Sequence, residues 1–126
     1  MRLKLISCEV LYRELCAAVA RSPHQVDIEF LPKGLHDLGA DVSPDKFVDA
    51  VRTSRANLVC LSALLTVTMS SMKTTIEALS AAGLRGQAKI MVGGAPVTQR
   101  YADEIGADGY GENAAVAVAV ARKLCA

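Results

Sequence analysis

The stretch Leu58-Val-Cys-Leu-Ser-Ala-Leu-Leu-Thr66 starts as an unbroken apolar run and finishes in small, hydroxyl-bearing residues. A run without polar alternation suits a strand buried on both faces, as in a parallel sheet covered by helices. Further along, Lys89-Ile-Met-Val-Gly-Gly-Ala-Pro-Val-Thr98 repeats the arrangement, with Gly-Gly after the apolar run. Two such strands side by side, one ending in Ser/Thr and one in Gly-Gly, make a flat floor with a polar edge. A large planar ligand can lie on such a floor, and open α/β sheets bind ligands at this carboxyl edge.

The flanking segments alternate between the two periodicities. Arg2–Ser7 reads as a first strand. Glu9–Arg21 carries Val10, Leu11, Leu15, Ala18 and Val19 at helical spacing, and Ser22-Pro23 stops it. Val26–Leu31 alternates apolar and acidic residues, which suits a half-exposed edge strand. A competing second strand, Leu35–Val42, is punctuated by Gly34 and Gly39, which favours the first choice. Ser43-Pro44-Asp45 is a helix start, with an N-cap hydroxyl and Pro at the first helical position. That helix runs to about Ser54, with Phe47, Val48 and Val51 facing inward.

Ala56–Ser62 is then the third strand, and Ser70–Ala82 a helix closed by Gly83. Lys89–Val92 is the fourth strand, followed by a short helix over Thr98–Ile105 that Gly106 ends. Asp108–Tyr110 makes a brief fifth strand, and Asn113–Leu124 an Ala/Val-rich final helix. Five strands alternating with five helices predict an α/β protein: a parallel sheet in the order 2-1-3-4-5, with right-handed crossovers and helices on both faces. No linker, repeat or low-complexity segment interrupts the pattern, so one domain over 1–126 is expected.

Composition excludes several classes. Fourteen basic and thirteen acidic residues give a net charge of +1, and no basic run gathers them, so phosphate-driven nucleic-acid binding has no support. The longest apolar run, Ala114–Ala121, is too short to span a bilayer, and Met1-Arg-Leu-Lys4 lacks the apolar core of a signal peptide. A cytoplasmic setting is the expectation. The cysteines Cys8, Cys16, Cys60 and Cys125 form no CxxC pair, which argues against a zinc site and a disulfide framework. Cys60 lies inside the apolar strand and reads as a small core residue.

From about Leu38 onward the chain resembles the cobalamin-binding domain of methyltransferase corrinoid proteins. The residues that carry the resemblance are Asp37-Leu-Gly-Ala-Asp-Val-Ser-Pro-Asp-Lys-Phe-Val-Asp-Ala-Val51, Leu61-Ser-Ala-Leu-Leu-Thr-Val-Thr-Met69, Met91-Val-Gly-Gly-Ala-Pro-Val-Thr98 and Gly106-Ala-Asp-Gly-Tyr110. The resemblance implies a flavodoxin-like, Rossmann-like fold that buries the nucleotide tail of a corrinoid (cobalamin, with its cobalt) in a slot beside the sheet. It gives cofactor-binding roles to Ser62, Leu64, Thr66, Gly93 and Gly94. In the family, the Ser of Ser-x-Leu hydrogen-bonds the lower base, and Gly-Gly lets the tail approach the backbone. Tyr110 and Gly111, at the end of the last strand, are expected to line the same slot.

One hallmark is missing from its place. The family carries Asp-x-His-x-x-Gly after the first strand, where the His supplies the lower axial nitrogen to cobalt and the Asp orients it. Here that strand leads into Ser7-Cys-Glu-Val-Leu-Tyr-Arg-Glu-Leu15. The opening segment, through Phe30-Leu-Pro-Lys-Gly-Leu-His-Asp-Leu38, instead resembles an uncharacterised domain family, DUF1638. His36 keeps the His-x-x-Gly half of the motif, but after the second strand. It reads either as a cobalt ligand or as a solvated loop histidine. Cys8 reads either as a thiolate ligand or as a structural thiol. Glu9 suits a helix N-terminus, and His24 a surface turn.

The resemblance implies a non-catalytic, methyl-carrying or accessory component of a corrinoid-dependent methyltransferase system, because the cobalt carries the chemistry and the protein orients it. The helical bundle that precedes such domains and covers the upper corrin face is absent from the 126 residues. A lone domain leaves that face to methyltransferase subunits or to a homodimer. The alternative is a cofactor-free interaction or regulatory protein that keeps the fold, and the missing motif supports it. A small enzyme or metal protein built on Cys8, Glu9 and His36 is a third reading, for which no nucleophile–base–orienter set is legible.

Overall fold

The apolar run at Leu58 forms strand β3 (Leu58–Ser62), which lies between β1 (Arg2–Cys8) and β4 (Lys89–Gly93). With β2 (Gln25–Leu31) outside β1 and β5 (Gly109–Gly111) outside β4, they make one parallel sheet ordered β2-β1-β3-β4-β5. The structure is a computed structural model and describes residues 2–8, 20–21, 25–31, 43–63 and 65–126. The expected helix over Glu9–Arg21 and the competing strand over Leu35–Val42 fall outside these residues, apart from Ala20 and Arg21.

Alternation along β3 and β4 divides the core into two parts. Val59, Leu61, Ala63, Ile90 and Val92 face one side, where helices α1 (Pro44–Ser54), α2 (Thr66–Ala81) and α3 (Gln99–Glu104) pack. Val59 and Ile90 have no exposed surface, and burying a side chain of this size stabilises by roughly 1.5–3 kcal/mol. Leu58, Cys60 and Met91 face the other side, against Ala117, Val120, Ala121 and Leu124 of helix α4 (Ala114–Leu124). None of these described helices is long and apolar enough to cross a membrane.

Helix α1 buries Phe47, Val48, Ala50 and Val51, the stripe that its helical spacing predicts. Ser43 takes the N-cap position with extended backbone, but its hydroxyl makes no capping bond there, contrary to the sequence expectation. The chain turns instead on the Ser43 carbonyl, which accepts from Lys46 N at 3.1 Å. The other end closes on Arg55, whose φ of 54° is the left-handed conformation that glycine more often supplies.

Helix α2 starts at Thr66, four residues ahead of the expected Ser70. The β-branched Thr66-Val67-Thr68 lowers helix propensity and argues for a turn. Local bonds outweigh that preference, because the Leu65 carbonyl accepts from both Thr68 N, at 3.1 Å, and Thr68 Oγ1, at 2.7 Å.

Two polar clamps fix the connections. Tyr101 of α3 donates its hydroxyl to the Met69 carbonyl of α2 at 2.6 Å. At the amino edge of the sheet, Asp108 accepts from Ile90 N at 2.7 Å and pairs with Arg85 at 2.9 Å, while Arg85 also donates to the Gly106 carbonyl.

Burial, and then the nearby Glu104 carboxylate, push the Tyr101 phenol up from its ordinary value. A phenol that holds its proton more tightly in the folded state adds stability below pH of about 10, and that stability is lost as pH rises through the folded value. Tyr101→Phe should therefore cost about 1 kcal/mol at neutral pH. It should also flatten the loss of stability above pH of about 10. Urea denaturation across pH 7 to 11 measures both.

Candidate functional site

Ser62, Gly93 and Gly111 close β3, β4 and β5, and the register sets them in one row, Ser62 opposite Gly93 and Gly93 opposite Gly111. Successive side chains along a strand point to opposite faces. Ser62 therefore follows Leu58 and Cys60 to the α4 side, Gly93 follows Met91, and Gly111 follows Gly109. The row carries one hydroxyl and two positions without side chains. Ser62 Oγ has less than 1 Å² of accessible area and no hydrogen-bond partner among the described residues. Leaving a buried hydroxyl unmated costs about 1–3 kcal/mol. Such atoms are rare in native structures, and each calls for a reason: strain, or a water, ion or ligand that supplies the partner.

The glycines do structural work beside this hydroxyl. A Cβ on Gly93 would stand 2.8 Å from the Gly111 carbonyl oxygen, and one on Gly111 would stand 2.8 Å from the Ala117 Cβ. Gly94 has φ of 118°, and a Cβ there would run into the Ala63 backbone. The Gly94 carbonyl accepts from Val97 N at 3.0 Å, and the Gly93 carbonyl from Ala63 N at 3.2 Å. These close approaches draw the turn after β3, the ends of β4 and β5, and the start of α4 together.

Other expected site residues are placed differently. Tyr110 points to the face opposite Ser62, packs on the larger core cluster and donates its hydroxyl to the Val97 carbonyl at 2.9 Å. Gly111 and Tyr110 thus lie on opposite sides of the sheet, because neighbours in a strand cannot share a face. Thr66 is exposed as the first residue of α2, between Leu65 and Val67, whose side chains are 62% and 74% exposed. Cys8 ends β1 opposite Leu31. Leu64, His36, Glu9 and His24 lie outside the described residues.

Metal-binding chemistry is not gathered here: among the described residues, no group of three or more His, Cys, Asp or Glu could hold an ion. Cys60 is buried as expected of a core residue, and burial pushes the half-buried Cys125 thiol up, which disfavours its thiolate. Ala117, which faces Gly111, and the exposed Leu65 and Val67 were not singled out from the sequence. The alternating Gly109-Tyr-Gly111 ahead of an Ala/Val-rich helix is the signal that points to Ala117.

The B12 binding domain family matches residues 15–119. The chain belongs to that family. The matched range begins at Leu15 and so takes in part of the opening segment. Among curated relatives, dimethylamine corrinoid protein 2 of Methanosarcina mazei is 49% identical over 90 residues, covering 71% of this chain and 42% of the relative. This chain therefore spans less than half the length of that relative.

Among solved structures, a cobalamin-binding protein from Desulfitobacterium hafniense superposes with a TM-score of 0.78 at 28% identity, covering 98% of this chain and 58% of that one. The monomethylamine corrinoid protein of Methanosarcina barkeri superposes with a TM-score of 0.75 at 26% identity, covering 98% and 57%. Both agree with a flavodoxin-like α/β fold built on a parallel sheet with flanking helices.

Gly94→Ala should lower the unfolding free energy by roughly 1–3 kcal/mol from backbone strain alone, with the collision against Ala63 adding to it. Urea denaturation of the purified variant measures the loss.

Proposed function

We propose that this chain is a cobalamin-binding module that carries a methyl group, or assists its transfer, in a corrinoid-dependent methyltransferase system. The observation that supports it most is the sealed, unmated Ser62 hydroxyl in a row with Gly93 and Gly111. On this reading Ser62 donates to the lower base of the corrinoid tail, while Gly93 and Gly111 leave room beside it. Gly94 holds the turn, Leu64 and Thr66 keep the tail-binding roles that the family resemblance gives them, and Tyr110 supports the loop at Val97 from the far face. A bound corrinoid would supply a cobalt centre able to accept and release a methyl group. The chain's own residues bind, orient and shield the tail, so its part is not catalytic.

The names of its relatives favour methyltransferase subunits as partners. The exposed Leu65 and Val67 beside the strand ends give an apolar rim where a partner or a second copy can sit. The reading takes 1–126 as one domain on a five-stranded sheet, in a cytoplasmic setting.

For the lower axial ligand, His36 offers an imidazole and Cys8 a thiolate. Comparing spectra of His36→Ala and Cys8→Ala separates these from retention through the tail without protein ligation. The second reading, a cofactor-free interaction or regulatory protein, is favoured by the missing Asp-x-His-x-x-Gly after β1.

Mixing the protein with hydroxocobalamin, desalting and recording the visible spectrum decides between them. Corrin absorbance should travel with the protein, and its absence would support the cofactor-free reading. Ser62→Ala should leave the cofactor-free protein as stable as before or more so, because it deletes an unmated polar atom. The same change should weaken retention, and Ser62→Leu should weaken it further by filling the slot. Thermal melts without corrinoid and retention after desalting give the two readouts.

A further inference from the structure

Tyr110 faces away from Ser62, yet its phenol ends on the loop that joins β4 to α3, residues 94–98. That loop leaves the sheet directly after Gly93, the middle member of the row with Ser62 and Gly111. Two bonds shape it from within or fasten it to the next helix. The Gly94 carbonyl accepts from Val97 N at 3.0 Å, and the Thr98 hydroxyl accepts from Tyr101 N at 3.2 Å as the cap of α3. Among the described residues, the one side-chain bond that reaches the loop from another strand is that of the Tyr110 hydroxyl to the Val97 carbonyl, at 2.9 Å.

The near end of the loop meets the residue after Ser62. The Gly93 carbonyl accepts from Ala63 N at 3.2 Å, and Gly94 lies so close to the Ala63 backbone that a Cβ would collide with it. A short series of contacts therefore runs from Tyr110 through Val97 and Gly94 to Ala63. Val97 and Ala63 are both buried, so an acceptor or donor left unmated there is costly. Phenylalanine would pack the same core surface as the Tyr110 ring, and the hydroxyl alone makes the bond to the loop.

We propose that Tyr110 is a positioning residue for the ligand site. Its hydroxyl, from the far face of the sheet, fixes the 94–98 loop and thereby the place of Gly93 and Gly94 beside Ala63 and Ser62. It touches no ligand and acts through the Val97 carbonyl. The proposal rests on the corrinoid-binding reading for the ligand, but the bracing of the loop belongs to the cofactor-free protein and is measured there.

Tyr110→Phe deletes the hydroxyl and keeps the ring. In the cofactor-free protein, amide exchange at Ala63 and Val97 should quicken about fivefold more than at 72–80 in α2. No change at Ala63 and Val97, or an equal change everywhere, would mean that the bond serves overall stability alone and would overturn the proposal.

Bound hydroxocobalamin gives the second readout, since Tyr110→Phe should release it about fivefold faster. Gln87→Ala is the comparison, because it removes a side-chain bond to the Val51 carbonyl at the amino edge. That variant should lose stability with no change in release. Unchanged release from Tyr110→Phe, or equally faster release from Gln87→Ala, would overturn the positioning role. If the unaltered protein retains no hydroxocobalamin, the proposed function fails, and exchange at Ala63 and Val97 still decides whether Tyr110 fixes the loop.

Discussion

Strand β3 has helices on both faces, so each of its residues is committed to one side of the sheet or the other. Leu58 and Cys60 belong to the α4 side, Val59 and Leu61 to the α1–α2 side, and the alternation carries Ser62 to α4. A shift of one residue would exchange the two faces along the whole strand. The parallel register transmits the same assignment to β4 and β5, which is how Gly93 and Gly111 come to stand beside Ser62. The site is thus a consequence of core packing. The face its hydroxyl takes follows from the apolar residues that precede it in the strand.

Much of this was legible because β3 and β4 are continuous apolar runs, which a parallel sheet covered on both faces accommodates. The inner stripe of α1 was legible from the spacing of Phe47, Val48 and Val51. The start of α2 was hidden by three β-branched residues, whose preference is overridden by bonds to a single carbonyl, that of Leu65. The silent cap at Ser43 shows the reverse case, a residue of the right type at the right position whose hydroxyl is not used.

Within the site, Ser62 and the glycine pair were visible as residue types, and what each one touches was not. Tyr110 and Gly111 cannot both face Ser62, and the two-residue period of a strand already contains that fact. The glycine pair carried two meanings that sequence does not separate. One is room for a ligand, and the other is close packing between parts of the same chain. At Gly94 packing accounts for the residue, through a positive φ and the Ala63 backbone. At Gly93 and Gly111 packing is again visible, because a Cβ on the first would crowd the Gly111 carbonyl and one on the second would crowd Ala117. The matched family's name supplies a ligand class, B12, that the residues of this chain do not spell out.

The clamp of Asp108 on Ile90 N and Arg85 gives the sheet a mechanical polarity. It locks β4 and β5 in register at the amino edge, the far end of each strand from Ser62. The carboxyl edge is thereby left a smaller share in holding the strands in alignment. Loops and strand-end residues there can change in length and chemistry while the register survives. A fold divided in this way keeps one margin as foundation and leaves the other free to be rewritten, which suits a scaffold whose relatives differ in the molecules they serve.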